Sequence, residues 1–230
     1  MTMISLHNCD CMSFMAGLPD KAFDLAIIDP PYGIGAAKGT WGSSNCGKVT
    51  NYGKKKWDDY APPLEYFVEL ERVSVNQIVW GANHFISRIP FDSSAWLVWD
   101  KDNSGDFADC ELAWTSFDSA VRKFRYRWNG MLQEDMANKE RRIHPTQKPV
   151  ALYRWLLQNY AKPGQRILDT HGGSMSIAIA CDIEGYDLDL CELDADYFAT
   201  GKKRLEAHQA QPRMFAPEAI AQPTQLSLDQ

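Results

Sequence analysis

The chain has 230 residues, 45% of them apolar and 23% charged, enough for one domain with a full core and too little for two large ones. No apolar stretch approaches bilayer-spanning length, and the start has no basic region leading into a long apolar run, so neither a membrane span nor a signal peptide is expected. The net charge of −6 disfavours a phosphate-rich partner on average, although local sign matters more than the sum for phosphate contact. Locally, Arg122, Lys123, Arg125, Arg127, Lys139, Arg141, Arg142 and Lys148 gather in mid-chain, and acidic residues crowd the last third. The six cysteines form no Cys-x-x-Cys pair and the five histidines are scattered. Reduced cytosolic thiols used as small core residues are therefore expected, and no metal.

In chain order, the pattern predicts a strand over residues 4–8 and a short helix over 10–18 ended by Pro19, then a buried strand over 22–28. That strand must stop at Asp29-Pro30-Pro31-Tyr32, because two prolines in series cannot continue a ladder. Residues 33–57 have no hydrophobic period, and a connection this long favours a functional loop. Its Gly33-Ile-Gly35-Ala-Ala-Lys-Gly39 has the wrong spacing for a dinucleotide fingerprint, and no helix pattern follows. A helix is predicted over 63–73, strands over 77–80, 95–99 and 112–117, and a polar turn around 102–105. Over 122–128 basic and aromatic residues alternate, which in a strand places them on opposite faces. After Pro149 come a helix over 150–160, a strand over 166–169, a helix over 174–183, a strand over 187–191 and a helix over 195–207. This β-α-β-α run predicts an α/β fold with a mostly parallel sheet. Residues 209–230 are Gln/Ala/Pro-rich and are expected to form a disordered tail.

Three segments carry chemistry. Asp29-Pro30-Pro31-Tyr32 offers a carboxylate and the Pro30 carbonyl as acceptors for an amine, a ring for stacking, and rigid prolines to hold them. By itself it also reads as a buried strand ending in a proline turn. In the second segment, Asp169 feeds the turn Thr170-His171-Gly172-Gly173-Ser174, whose glycines permit close backbone approach to a ligand. Glu192 ends the next strand, where a carboxylate can accept both ribose hydroxyls of a nucleoside. A plain strand–helix turn with a surface glutamate is the alternative. The third segment, His144-Pro-Thr-Gln-Lys-Pro149, sets a rigid entry to the following helix, with Thr146 and Lys148 able to face a ligand, and equally reads as a linker.

The order of the three resembles the β group of S-adenosylmethionine-dependent DNA amino methyltransferases, in which D-P-P-Y precedes a target-recognition segment, H-P-T-Q-K-P and the Gly-rich cofactor motif. The resemblance spans about residues 4–207. It implies a single Rossmann-like methyltransferase domain over 1–208, a mostly parallel twisted sheet with helices on both faces and a permuted motif order, carrying a mobile loop at 33–57 and a short target-recognition segment at 119–143. It further implies that Asp29, Pro30, Pro31 and Tyr32 are catalytic, and that Asp10, Cys11, Asp29, Thr146, Lys148, Asp169, His171, Gly172, Gly173, Ser174, Glu192 and Leu193 bind S-adenosylmethionine. Lys54, Lys55, Lys56, Arg122, Lys123, Arg125, Arg127, Arg141 and Arg142 are the expected DNA contacts. Relatives often carry Asp-Pro-Phe-x-Gly-Ser-Gly where this chain has Asp169-Thr-His-Gly-Gly-Ser-Met175; His171 is either ligand-facing or a filler of the phenylalanine site, the second being preferred. The implied activity is site-specific methylation of a flipped base at adenine N6, since relatives acting on cytosine N4 more often carry serine at the position of Asp29. Cytosine N4, an RNA base, and a catalytically silent nucleic-acid-binding module are the alternatives. A cytoplasmic protein of bacterial or phage origin, associated with restriction–modification and able to form a homodimer, completes the expectation.

Overall fold

The computed structural model describes residues 2–38, 55–103, 108–129 and 132–211. Most of the expected loop, Lys54 among it, and residues 212–230 of the expected tail lie outside the described residues. The first half builds β1 (Ile4–His7), α1 (Cys11–Ala16), β2 (Phe23–Ile28), α2 (Leu64–Val73), β3 (Ser74–Trp80), β4 (Leu97–Asp100) and β5 (Cys110–Thr115). The second builds β6 (Arg122–Arg125), a small hairpin of β7 (Trp128–Asn129) and β8 (Leu132–Gln133), α3 (Val150–Tyr160), β9 (Arg166–Asp169), α4 (Ser176–Glu184), β10 (Asp187–Cys191) and α5 (Ala195–Gln209).

Eight strands form one sheet in the order β1-β10-β9-β2-β3-β5-β4-β6. From β1 through β3 every neighbour is parallel. β5 then runs antiparallel to both β3 and β4, and β6 closes the edge parallel to β4. The alternation of side chains along β2 explains the layering. Leu25 and Ile27 pack with Leu152, Leu156 and Ala178 from α3 and α4 on one face. Ala26 and Ile28 pack with Met15, Tyr66, Phe67 and Leu70 from α1 and α2 on the other. The result is the expected α/β sandwich, a mostly parallel sheet with helices on both faces.

At three boundaries the departure from the sequence pattern has a visible cause. β6 ends at Arg125 instead of running to Trp128, because the chain turns Trp128 into the core, where its Nε1–H donates to the Gln147 carbonyl at 2.9 Å. α4 starts at Ser176 and not Ser174, since Met175 takes a left-handed φ of 57° that a helix cannot contain. β3 begins directly at Ser74, three residues early, because the Ser74 hydroxyl donates back to the Leu70 carbonyl at 2.6 Å and joins α2 to the strand without a loop.

The order of connections reverses between β9 and β2: β9 leads through α4 to β10 on one side, and β2 leads through α2 to β3 on the other. In open α/β sheets the crevice outside the carboxyl ends of such a pair is where ligands bind. Asp169 ends β9 and Asp29 follows β2 directly, so the topology alone brings two of the three singled-out segments to one crevice.

Candidate active site

A cavity opens at that crevice. Its lining joins Asp29, Pro30, Pro31 and Tyr32 to Thr146 and Lys148, and to His171, Gly172, Gly173, Ser174 and Glu192. Segments more than a hundred residues apart thus meet in one wall.

The tetrapeptide turn is held from beneath by Asp58. Its buried carboxylate accepts the backbone N–H groups of Tyr32 at 2.7 Å, Gly33 at 2.9 Å and Ala36 at 2.6 Å. Three charge-assisted bonds from consecutive turns fix the path of the chain as it leaves β2. The Tyr32 ring stacks on His84 with centroids 5.0 Å apart, and its edge lies where any side chain on Gly81 would stand: an added Cβ there would be 2.0 Å from Cε1. Gly81 also takes φ +70°, so two independent constraints demand glycine.

The Tyr32 hydroxyl donates to Asp29 Oδ1 at 2.7 Å, and Lys148 Nζ reaches the same oxygen at 2.5 Å. Among the described residues both donors meet Oδ1, which leaves Oδ2 for a further donor. Lys148 is only 3% exposed. Its ammonium has three N–H bonds and three partners: Asp29 Oδ1, Glu111 Oε2 at 3.0 Å and the Tyr32 hydroxyl at 3.0 Å. Glu111 in turn pairs with Lys101. Buried Lys148 and partly buried Lys101 thus balance the partly buried carboxylates of Asp29 and Glu111, the pairing that lets charges persist away from water. Burial alone would depress the Lys148 ammonium, yet the two carboxylates hold it above its ordinary value. Burial would raise Glu111, but Lys148 and Lys101 bring it down to about 2. Burial lifts the Asp29 carboxyl above its usual range, with Lys148 opposing the rise.

The Gly-rich turn forms the other wall. Asp169 is buried at the end of β9 and accepts the His171 backbone N–H at 2.9 Å; burial pushes its carboxyl up to about 8. A Cβ on Gly172 would lie 2.2 Å from the Leu190 side chain, so only glycine lets the turn sit this close to β10. Glu192 Oε2 accepts the Gly173 N–H at 2.7 Å, and Oε1 accepts that of Asp194, also at 2.7 Å. Met175, which departs from the glycine of the family motif, takes a left-handed backbone with φ 57°, its side chain buried against Gly201 of α5. Arg204, also from α5, donates to the Ser174 carbonyl at 2.7 Å and to Glu140 at 2.6 Å, tying the turn to the segment before His144. His171 lines the cavity and also packs edge-on against Tyr66 at 5.5 Å, so the two alternatives for it coexist. Burial lowers its imidazole to about 4 and that of His144 to about 3. Both rings are therefore neutral at pH 7.

Four expected cofactor residues do not line the cavity. Asp10 uses its carboxylate to cap α1, accepting the Ser13 N–H at 2.9 Å. Cys11 opens that helix, with its thiol pushed up to about 12 by burial. Asp169 lies behind the turn, and Leu193 is 70% exposed. Several of the expected nucleic-acid residues are paired with neighbouring groups in this structure. Lys123 pairs with Asp100, while Arg125 and Arg127 both pair with Asp102. Arg142 lies over the Trp128 ring, and Lys55 bridges Asp194 and Asp196 at the start of α5. Lys56, Arg122 and Arg141 are exposed. At the edge of the sheet the parallel pairing of β4 with β6 brings acidic residues of β4 and its following turn against the basic residues of β6, a juxtaposition invisible along the chain.

Sequence reasoning missed Glu111, Lys101 and Asp58. Glu111 did carry a signal: it shares its strand face with buried Ala113 and Thr115, so a charged side chain at that place in the alternation must point inward. For Asp58, at the end of a featureless loop, nothing in the pattern distinguishes it from Asp59.

A family model described as DNA methylase matches residues 97–203, taking in His144–Pro149 and the Gly-rich turn but not the tetrapeptide. With the fold and the three motifs in place, the chain is similar to the β-group DNA amino-methyltransferases, adenine-N6 or cytosine-N4. The chain is 26% identical to the putative methylase YubD of Escherichia coli over 236 residues, covering 91% of this chain and 96% of the relative. It is 24% identical to the type II methyltransferase M2.DpnII of Streptococcus pneumoniae, covering 89% and 90%. Two solved structures share the fold. The M1.HpyAVI–SAM complex does so with a TM-score of 0.56 and 22% identity, over 88% of this chain and 100% of the other. The cytosine-N4-specific PvuII DNA methyltransferase does so with 0.58 and 12%, over 95% and 90%.

Proposed function

We propose that this protein transfers a methyl group from S-adenosylmethionine to the N6 amine of an adenine flipped out of duplex DNA. The observation that carries the reading is the state of Asp29: one carboxylate oxygen is anchored by Lys148 and Tyr32, and the other remains for a substrate donor in a cavity that Pro30 also lines. An exocyclic amine is a poor nucleophile because its lone pair is delocalised into the ring. Asp29 Oδ2 and the Pro30 carbonyl accept its two hydrogens, favour tetrahedral nitrogen and free that pair. Tyr32, backed by His84, gives the base a ring to lie against. Asp29 need not be a strong base, because the proton can leave after the nitrogen becomes cationic.

The opposite wall suits a nucleoside donor. Gly172 and Gly173 allow close backbone approach, and the Glu192 carboxylate is within reach of ribose hydroxyls once it exchanges its bond to the Gly173 N–H. S-adenosylmethionine, when bound there, supplies an electrophilic methyl group. Asp29 in place of serine favours adenine over cytosine. Exposed Arg122, Arg141 and Lys56 are the first candidates for phosphate contact, and those paired on the surface can exchange carboxylate for phosphate at small cost, since such pairs contribute about 0–1 kcal/mol. A single domain over 1–208, cytoplasmic location in a bacterial or phage context and homodimer formation belong to the same reading.

The test is incubation with tritiated methyl donor and duplex DNA or RNA, followed by digestion to nucleosides. Label in N6-methyldeoxyadenosine is expected. Label in N4-methylcytosine or in RNA would overturn the substrate, and no label on diverse substrates would favour a silent binding module.

A further inference from the structure

Lys148 Nζ, Glu111 and Lys101 form a chain of opposite charges that begins at Asp29 in the cavity wall and leads away from it, and the reaction as proposed uses only its first member. We propose that Glu111, braced by Lys101, is a positioning residue: it fixes Lys148 so that the Asp29 carboxylate turns Oδ1 inward and presents Oδ2 alone to the target amine. The inference rests on the methyltransfer reading for its consequence in turnover, but its geometric content stands without it.

The geometry leaves little freedom. The buried ammonium has three hydrogens and three acceptors, and the acceptors come from three elements: Asp29 after β2, Tyr32 in the turn beyond it, and Glu111 on β5. Tyr32 has one hydroxyl hydrogen. With that hydrogen on Asp29 Oδ1 at 2.7 Å, its contact of 3.3 Å with Glu111 Oε2 is not a second donation. Glu111 is therefore bound to the cluster through Lys148 and Lys101 only. Once Glu111 is neutral, Asp29 is the one carboxylate left to the buried ammonium, and Lys148 turns toward its remaining oxygen, the oxygen the amine requires. The groups facing Asp29 are Lys148, Glu111 and Tyr32, with the Asp169 carboxyl at the end of β9 and the Tyr153 hydroxyl of α3 farther off. Glu111 raises the Asp29 carboxyl and Lys148 lowers it, so neutralising Glu111 must move Asp29 titration to lower pH.

The experiment uses the full chain and the variants Glu111→Gln and Lys101→Gln. In Glu111→Gln, kcat for methyl transfer at saturating donor and DNA is expected to fall about 10- to 100-fold, the range for displacing a reacting group by about an ångström. Donor affinity by calorimetry and KM for DNA stay within about threefold of wild type, as expected where a truncation acts on the transition state rather than on binding. The acid limb of the kcat–pH profile moves down, and so does the Asp29 carboxyl titration followed by carbon-detected NMR. Lys101→Gln, which removes only the outer partner, should shift the same two readouts by less; it serves as the primary variant if Glu111→Gln does not fold. Unchanged kcat and unchanged Asp29 titration would overturn the proposal, as would a loss confined to donor affinity. If wild type methylates nothing, the methyltransfer reading falls, and the carboxyl titration still decides the geometry: no shift in either variant overturns it, and a downward shift upholds it.

Discussion

Replacing Gly81 with alanine tests whether the Tyr32 ring is set by contact with the chain after β3. The backbone there has φ +70°, and an added Cβ would stand 2.0 Å from Tyr32 Cε1, where ordinary contact begins near 3.4 Å. The ring must therefore shift by about 1.4 Å. A left-handed alanine costs about 1–2 kcal/mol and overpacking a further ~1–3 kcal/mol, together about 2–5 kcal/mol. Gly164 supplies the control: its φ is +84° and nothing lies within 4 Å of an added Cβ, so Gly164→Ala carries the backbone cost alone. At ~2–4 °C per kcal/mol for a chain of this size, thermal unfolding should drop by roughly 4–20 °C for Gly81→Ala and roughly 2–8 °C for Gly164→Ala. Methyl transfer, measured below both transitions, should fall about 100-fold in the first and not in the second. Equal destabilisation of the two, or full activity in Gly81→Ala, would refute the contact argument.

Two further outcomes follow from the Gly-rich turn. Met175→Gly relieves a left-handed backbone but removes a fully buried side chain, so a net loss of about 1–3 kcal/mol is expected by denaturant unfolding, cavity cost exceeding strain. Gly201→Ala, whose Cβ meets Met175 Cγ at 2.8 Å, should destabilise wild type yet be neutral or stabilising in Met175→Gly, where the helix preference for alanine acts unopposed. For Asp169, the folded carboxyl is raised to about 8 from 3.8. Its contribution is therefore fully present below pH 4 and is lost as pH rises toward 8, because the unfolded chain releases the proton first. Asp169→Asn should raise the melting temperature progressively over that window and by a constant amount above it; a difference independent of pH would contradict this.

Fold and site were legible to different depths. The β-α-β-α run over residues 166–209 and the stop at Pro30-Pro31 follow from local patterns, and the structure reproduces both. What stayed hidden depends on pairing. The alternation Lys123–Phe124–Arg125–Tyr126 was read as a basic face, and each ring did turn to the core side, with Phe124 stacked on Trp155. That Asp100 and Asp102 meet those bases follows from the parallel β4–β6 register, which one strand cannot reveal. Lys148 was placed near the cofactor, yet its ammonium lies on Asp29, because Glu111 arrives from an antiparallel strand whose position in the sheet is not encoded nearby. Met175 is a departure from the family motif in the sequence; in the structure its backbone is left-handed and its side chain finds room at Gly201, on the following helix α5.

The central claim, that Asp29 activates a nucleobase amine while the Gly-rich wall holds the methyl donor, is tested most directly by Asp29→Ala measured two ways on one preparation. Donor affinity by calorimetry should remain within about threefold, and methyl transfer to DNA should fall by about 10²–10⁴, the range for loss of a positioned acid–base group. Parallel loss of binding and turnover, or turnover that survives the substitution, would contradict the account.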